Sequence, residues 1–145
     1  MDIQALKLVV TEADANQLVS EFAPKDLEID KLQLRFTPEG VRVSGEMPAL
    51  MFRVSFETLW ELSLDAGRVL ARLHTLKVAG IPAGKLRGIL LKMVRDAVAK
   101  HPGITVENEV VCVDPNAILR AHVLPLTIRL TALTCAAGSV LVEAG

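Results

Sequence analysis

The chain has 145 residues, a formal net charge of -1 and 51% hydrophobic residues, but only 3% aromatic residues and no tyrosine. This length fits one domain with a single core, because a fold of this size buries about 70% of the surface that its unfolded chain exposes. The near-neutral charge and the scarcity of rings argue against nucleic acid as a partner, since nucleic-acid binders rely on basic surfaces and stacking platforms. The aliphatic composition instead favours the burial of flexible apolar surface.

The amino terminus does not have the pattern of a signal peptide. Asp2 and Lys7 accompany its first apolar residues, whereas a signal peptide places a basic segment before an apolar one. The longest uncharged segment, residues 130–142, is shorter than the roughly 20 residues that a membrane-spanning helix needs. We therefore expect a cytoplasmic protein whose only contact with a membrane would be peripheral.

The two cysteines do not form a recognisable metal or redox motif. Cys112 and Cys135 lie in apolar runs without a CxxC spacing, so we expect them to be buried small side chains. A disulfide between them is the alternative, which the reducing cytoplasm would oppose.

The first predicted elements are a strand and a short helix. Residues 5–10 alternate between apolar and other side chains, which predicts a strand. Thr11 is followed three residues later by Asp14, a pattern similar to a capping box, so a helix is expected to begin there. Pro24 is expected to end it.

The middle of the chain predicts a series of strands. Residues 32–36 and 41–47 alternate on either side of a Thr-Pro-Glu-Gly turn, which predicts a hairpin with one wet face. Residues 52–64 continue the alternation, and residues 68–79 predict a long strand after a second turn.

Residues 80–100 predict the longest helix. Pro82 lies in its first turn, where the missing N–H does no harm. The apolar residues cover more than half of the helix circumference, which is wider than an ordinary surface helix requires. We therefore predict an α+β fold in which a curved antiparallel sheet wraps around a long amphipathic helix, with short capped helices elsewhere.

The last third predicts a hairpin over residues 104–113, a capped helical turn at residues 117–120, and strands at residues 126–134 and 139–143. Asp114 lies shortly before this turn, so it is expected to act as its cap and not as a metal ligand or a catalytic carboxylate.

The carboxyl-terminal part repeats the plan of the amino-terminal part. In residues 11–45 and again in residues 113–145, a capped helical turn leads through a proline into a strand, a glycine turn and a second strand. The tripeptide Asp14-x-Asn16 corresponds to Asp114-x-Asn116. The chain is therefore interpreted as a single domain, residues 1–145, with a weak internal repeat.

Five segments carry a resemblance to a known family, and they span nearly the whole chain. They are TEADAN, TPEGVRVSG, VAGIPAGKLRGIL, PGITVENEVVCVD and GSVLVEAG. The chain resembles the tubular lipid-binding (TULIP) superfamily and, within it, the LmeA-like bacterial lipid-binding proteins. The resemblance implies a long helix wrapped in a curved antiparallel sheet, an apolar groove for acyl chains, and no catalytic residues.

Motifs of enzymes, metals and cofactors are missing from the sequence. The segment Gly80–Lys85 has only three residues between its glycines, and Leu86 replaces the hydroxyl that a phosphate loop uses to bind magnesium. The three histidines are far apart and show no metal-ligand spacing. No GxSxG motif is present. We therefore predict a protein that is not an enzyme and needs no cofactor.

The sequence instead predicts a binding protein for a lipid, a fatty acid or another apolar ligand. Acyl chains are expected between the long helix and the sheet, with headgroups on basic side chains, because an aliphatic surplus favours an apolar groove. The predicted groove residues are Phe52, Val54, Phe56, Leu86, Leu90, Met93 and Ala97. The predicted headgroup or anion residues are Arg68, Arg72, His74 and Lys85. The alternative is a ligand-free structural module, such as a homodimer, that buries the same apolar surplus against a partner.

Overall fold

The computed structural model describes residues 1–25, 27–49, 51–79 and 83–145. Strands contain 54% and helices 23% of the residues. The strands are β1 (Asp2–Ile3), β2 (Leu6–Thr11), β3 (Asp30–Thr37), β4 (Gly40–Ala49), β5 (Phe52–Asp65), β6 (Arg68–Val78), β7 (Ile104–Glu107), β8 (Val110–Val113), β9 (Thr127–Ile128), β10 (Leu130–Ala136) and β11 (Ser139–Ala144). The helices are α1 (Glu12–Phe22), α2 (Ala83–Val98) and α3 (Pro115–Ala121).

The predicted fold class is wrong. In the described part of the chain the architecture is mostly β with short helices, and no sheet wraps around a long amphipathic helix. The wide apolar surface of α2 misled the prediction because it serves three environments. Leu86 and Leu90 are buried in the core, Met93 and Ala97 border a cavity, and Ile89 is 43% exposed. Because the apolar surface of α2 is divided between the core, the cavity and water, it does not require a sheet that surrounds the helix.

The largest sheet has six strands in the order β3-β4-β5-β6-β8-β7, and all neighbouring strands are antiparallel. Successive side chains point to opposite faces of a strand. On β5 the even-numbered residues from Val54 to Leu62 face inward, whereas Glu57 and Glu61 face outward and are exposed. The alternation that predicted strands in this region therefore also creates an apolar inner face and a charged outer face.

A smaller sheet, in the order β10-β11-β2, packs on the inner face near β3, β4 and β5. Val140 of this sheet joins a buried cluster with Phe36, Val41 and Trp60. A second buried cluster, built from Met47, Phe56, Leu76, Leu86 and Leu90, joins α2 to the opposite end of the inner face. Between the two clusters, part of the inner face is left uncovered.

The short helices follow the predicted caps. Thr11 caps α1, and its side chain and that of Asp14 complete a capping box. Asp114 caps α3 by accepting hydrogen bonds from Asn116 N at 3.1 Å and Ala117 N at 3.2 Å, which confirms its structural role. Thr11 and Asp114 are the equivalent N-caps. Asp14, which the sequence comparison aligned with Asp114, instead completes the capping box from within α1.

Candidate functional site: an apolar groove between two helices

A cavity of about 830 Å³ lies on the uncovered part of the inner face. Helix α1 packs on β3, and α2 packs on β6 and β7, so the central strands β4 and β5 form a floor between two helical walls. The volume is within the range of roughly 300–1,000 Å³ that is typical of small-molecule sites. We refer to this cavity as the groove.

The groove is lined almost entirely by aliphatic and aromatic side chains. Its lining residues are Leu18, Val19, Ala23, Pro24, Leu27, Ile29, Leu32, Val41, Val43, Phe56, Thr58, Trp60, Leu62, Ala71, Leu90, Met93, Val94, Ala97, Val98, His101, Ile104, Val111 and Ile118. Among these described residues, polar side-chain atoms come from Thr58, Trp60 and His101.

The polar groups of the floor satisfy one another. Trp60 Nε1 donates a hydrogen bond to Thr58 Oγ1 at 2.9 Å, and Thr58 Oγ1 donates to the carbonyl oxygen of Val43 at 2.9 Å. Thr58 is 2% exposed, so these bonds are shielded from water. Because the hydroxyl and the indole N–H are both used, the floor presents hydrocarbon to a ligand and no free donor. The floor therefore suits a ligand segment without polar groups.

Two residues that line the groove are exposed to water. Leu18 of α1 is 50% exposed although it lines the cavity, and His101, just after α2, is also exposed. Among the described residues that line the groove, His101 alone carries an imidazole. A bound molecule could thus keep a polar end in water near His101 while its apolar part lies on the floor.

Two strands and the segment before β3 approach one another closely at the border of the groove. A side-chain carbon at Gly45 would come within 3.0 Å of Ile29 Cγ2 and 3.2 Å of Phe56 Cε1. Both of these neighbours line the groove. Glycine is therefore needed here so that Ile29 can pack beside the aromatic ring.

An ion pair holds α2 on the edge of the floor. Arg87 Nη2 donates hydrogen bonds to Glu109 Oε2 at 2.8 Å and to the carbonyl oxygen of Leu73 at 2.9 Å, and Arg87 Nε donates to Glu109 Oε1. The hydrogen bonds from Arg87 hold the pKa of Glu109 below its usual value, and Glu109 in turn raises the pKa of Arg87. The two side chains fix the helix against β6 and the β7–β8 turn.

The predicted groove residues are divided between the cavity, the core and the surface. Four of them line the groove: Phe56, Leu90, Met93 and Ala97. Val54 and Leu86 pack in the adjoining buried cluster, beside the groove. Phe52 is 72% exposed and lies outside the groove.

The predicted headgroup residues do not meet at the groove. Arg72 and His74 lie on the exposed outer face, where His74 Nδ1 is 3.1 Å from Glu61 Oε1. Arg68 is also exposed, with Nη2 at 3.5 Å from Asp65 Oδ2. The side chain of Lys85 lies outside the described part of the structure. Side chains alternate between the two faces of β6, so Arg68, Arg72 and His74 lie on the face opposite to Ala71, which lines the groove.

The sequence interpretation missed the wall formed by α1 and by the segment that follows it. Leu18, Leu27 and Ile29 line the groove, although their part of the chain was interpreted only as a capped helix and a loop. The apolar stripe of α1 was a signal for burial. Only the packing of α1 on β3 shows that this stripe borders a cavity.

Other candidate sites are weaker. A recess of about 400 Å³ is smaller than the groove and mixes the polar and charged residues Ser44, Ser55, Glu57 and Lys77 with Phe56, Val78 and Ala79. Among the described residues, no three His, Cys, Asp or Glu side chains come together as metal ligands. Cys112 and Cys135 are free and half-buried.

Comparisons with known protein families, with curated protein sequences and with solved structures find no match to this chain. Within the described ranges, none of the helices combines the length and the apolar character that crossing a membrane requires.

Proposed function

We propose that the protein is a non-enzymatic carrier or sensor that binds the hydrocarbon part of a lipid or fatty acid in the groove. The single observation behind this proposal is the self-satisfied floor, in which Thr58 and Trp60 leave no polar atom free beneath a cavity of about 830 Å³. An apolar site without free donors gains free energy from burying hydrocarbon and offers nothing to a polar substrate.

The proposed ligand is amphipathic and lies in one direction. The hydrocarbon chain of the ligand would occupy the floor near Phe56 and Met93. Its polar group would lie in water near His101. The resemblance to the TULIP superfamily agrees with this use of a groove, although the wrapped long helix that it implies is not the architecture of this chain. The superfamily assignment therefore remains part of the proposal.

Trp60 offers a direct test because it is the only tryptophan and it lines the groove. A brominated fatty acid should quench its fluorescence by contact, whereas the unbrominated acid should not. Saturation at one ligand per chain, checked by native mass spectrometry, would support the proposal. Absence of quenching at ligand concentrations below micelle formation would overturn it.

Two variants of α2 make the test specific. Ala97→Phe should fill the groove from a half-buried position and weaken ligand binding at least tenfold, since it occupies the space that the hydrocarbon needs. Ile89→Glu changes the same helix at a position that is 43% exposed and outside the groove, so it should bind like the unmodified protein. Equal loss in both variants would indicate damage to α2 and not a blocked groove.

One observation favours the alternative, a ligand-free module that pairs with a second copy. In the described structure β2 is an edge strand, and Leu8 and Val9 on it are 48% and 54% exposed. An exposed apolar edge strand is a template for pairing with another chain. Light scattering distinguishes the two proposals, because a stable dimer that Val9→Lys dissociates and that carries no ligand would favour the module.

A further inference from the structure

The tip of the β4–β5 hairpin carries two adjacent large apolar side chains in water. Met51 is 103% exposed and Phe52 is 72% exposed. Met51 also has a φ of +72°, a backbone conformation that residues other than glycine adopt rarely. Both side chains therefore lie in water and not in the core.

The tip continues the apolar row of the inner face. Phe52, Val54 and Phe56 share one side of β5 because they are two residues apart. Phe56 is buried and Val54 is half-buried in the second cluster, whereas Phe52 lies beyond it. No polar residue replaces the apolar pattern where the strand leaves the core, so the exposed part has the composition of a buried one.

Two ion pairs lie behind the tip. Arg53 Nη2 lies 2.7 Å from Asp30 Oδ2, and Lys31 Nζ lies 3.2 Å from Glu46 Oε1. This pairing leaves no net charge from these four side chains. A protruding apolar tip above paired charges fits the interface of a zwitterionic bilayer, where apolar side chains are buried and no unpaired charge is carried into lipid.

The tip is linked to the wall of the groove that contains Leu27 and Ile29. Arg53, the residue after Phe52, donates hydrogen bonds to the carbonyl oxygens of Glu28 at 3.0 Å and Glu46 at 3.3 Å. Glu28 lies between Leu27 and Ile29, which both line the groove. Contact at the tip would therefore place this wall of the groove next to the contacted surface.

We propose that Met51 and Phe52 insert into the surface of a zwitterionic lipid bilayer and place the Leu27 and Ile29 wall of the groove against it. The part about the groove rests on the proposed function, whereas insertion of the tip can be tested independently. The occupant is a lipid surface and not a protein, because Met51 and Phe52 expose apolar surface above two ion pairs, an arrangement that the interface of a bilayer accommodates.

The first experiment is co-sedimentation of the full chain with phosphatidylcholine vesicles. The double variant Met51→Ser/Phe52→Ser should bind about tenfold more weakly or worse, because burial of one large apolar side chain corresponds to at least this factor. Val123→Ser is the matched control, since Val123 is 87% exposed but follows α3 and is not on the hairpin. Equal binding by the double variant and the unmodified chain would overturn the proposal.

A second experiment places a probe at the tip. In Phe52→Trp the new indole should shift its emission to shorter wavelength with phosphatidylcholine vesicles and be quenched by lipids brominated near the headgroup. Trp60 also contributes to the emission, and the unmodified chain measured with the same vesicles gives that contribution, which is subtracted. An unchanged spectrum in the presence of vesicles would contradict insertion.

Fatty-acid loading from solution separates this proposal from the proposed function. A double variant that loads normally but no longer binds vesicles supports insertion by the tip. Vesicle binding by an unmodified chain that never loads fatty acid would support insertion and overturn only the proposed function. A dimer that the double variant dissociates, without vesicle binding by the unmodified chain, would identify the tip as a protein contact and overturn insertion.

Discussion

Asn16 binds both backbone groups of Leu34. Its Nδ2 donates to the carbonyl oxygen of Leu34 at 3.0 Å, and the N–H of Leu34 donates to Asn16 Oδ1 at 2.8 Å. Asn116 repeats the arrangement with Ile128, at 2.9 Å and 2.8 Å. In both places an amide from a short helix takes the place of a neighbouring strand, which protects a strand edge from unwanted pairing. Asn16 and Asn116, which the sequence comparison aligned, thus make the same kind of contact.

Asn16 and Asn116 predict a matched pair of stability losses. Asn16→Ala and Asn116→Ala should each lower the free energy of unfolding by roughly 1–3 kcal/mol, because each leaves a backbone N–H and a carbonyl of the strand without partners. Urea unfolding followed by Trp60 fluorescence measures the loss. Gln17→Ala, on the exposed side of α1, should change it by less than about 0.5 kcal/mol. If Asn16→Ala and Asn116→Ala lose no more stability than Gln17→Ala does, water replaces the hydrogen bonds of the asparagine side chains.

The floor of the groove predicts a difference between two substitutions of one residue. Thr58→Val removes the hydroxyl that accepts from Trp60 Nε1, so a buried indole N–H would lose its partner at a cost of roughly 1–3 kcal/mol. Thr58→Ser keeps the hydroxyl and should retain most of that stability. Thermal or urea unfolding compares the two variants. A Thr58→Ser variant that is less stable than Thr58→Val would contradict the role assigned to the hydrogen bonds.

Two glycines predict opposite outcomes for the same change. Gly45→Ala should destabilise the protein by about 1–3 kcal/mol, since the added carbon would crowd the Asp30 carbonyl and Ile29 at 3.0 Å. Gly88→Ala should stabilise it by up to about 1 kcal/mol, because that carbon meets nothing within 4 Å and alanine favours the helix. Calorimetry of both variants checks the signs, and a stabilising Gly45→Ala would show that Ile29 can move aside.

The Arg87–Glu109 pair predicts an acid-dependent part of the stability. The folded-state pKa of Glu109 lies below its ordinary value of 4.5, so the ionised carboxylate stabilises the fold above pH 4.5. This contribution is lost as the pH falls through the lowered pKa. Glu109→Gln should therefore flatten the loss of stability between neutral and acidic pH.

Unfolding measured at several pH values tests the pair. Glu107→Gln removes an exposed carboxylate from the same hairpin and provides the control, which should keep the original pH dependence. An identical pH profile for Glu109→Gln and the unmodified chain would show that the pair does not stabilise the folded state.

Local sequence patterns predicted most of the elements. Alternation predicted β2 and the strands from β3 to β5, and an extended apolar run predicted β6. The caps at Thr11 and Asp114 predicted α1 and α3, although α3 begins two residues before the predicted turn at residue 117. These features depend on neighbouring residues, because the side-chain period and the capping hydrogen bonds are short-range. The sequence also showed the aliphatic surplus, and hence that more apolar surface must be buried than an ordinary core requires.

Where that surface goes was decided by the tertiary structure. Helical periodicity shows that α2 is apolar over a wide surface, but it cannot distinguish a side buried in a core from a side that borders a cavity. That difference arises because α1 packs on β3 and α2 on β6 and β7, which leaves β4 and β5 uncovered between them. The sequence by itself determined the strands, the caps and the apolar faces, whereas only packing between distant segments decided that Met93 and Trp60 share a groove and that Phe52 lies in water.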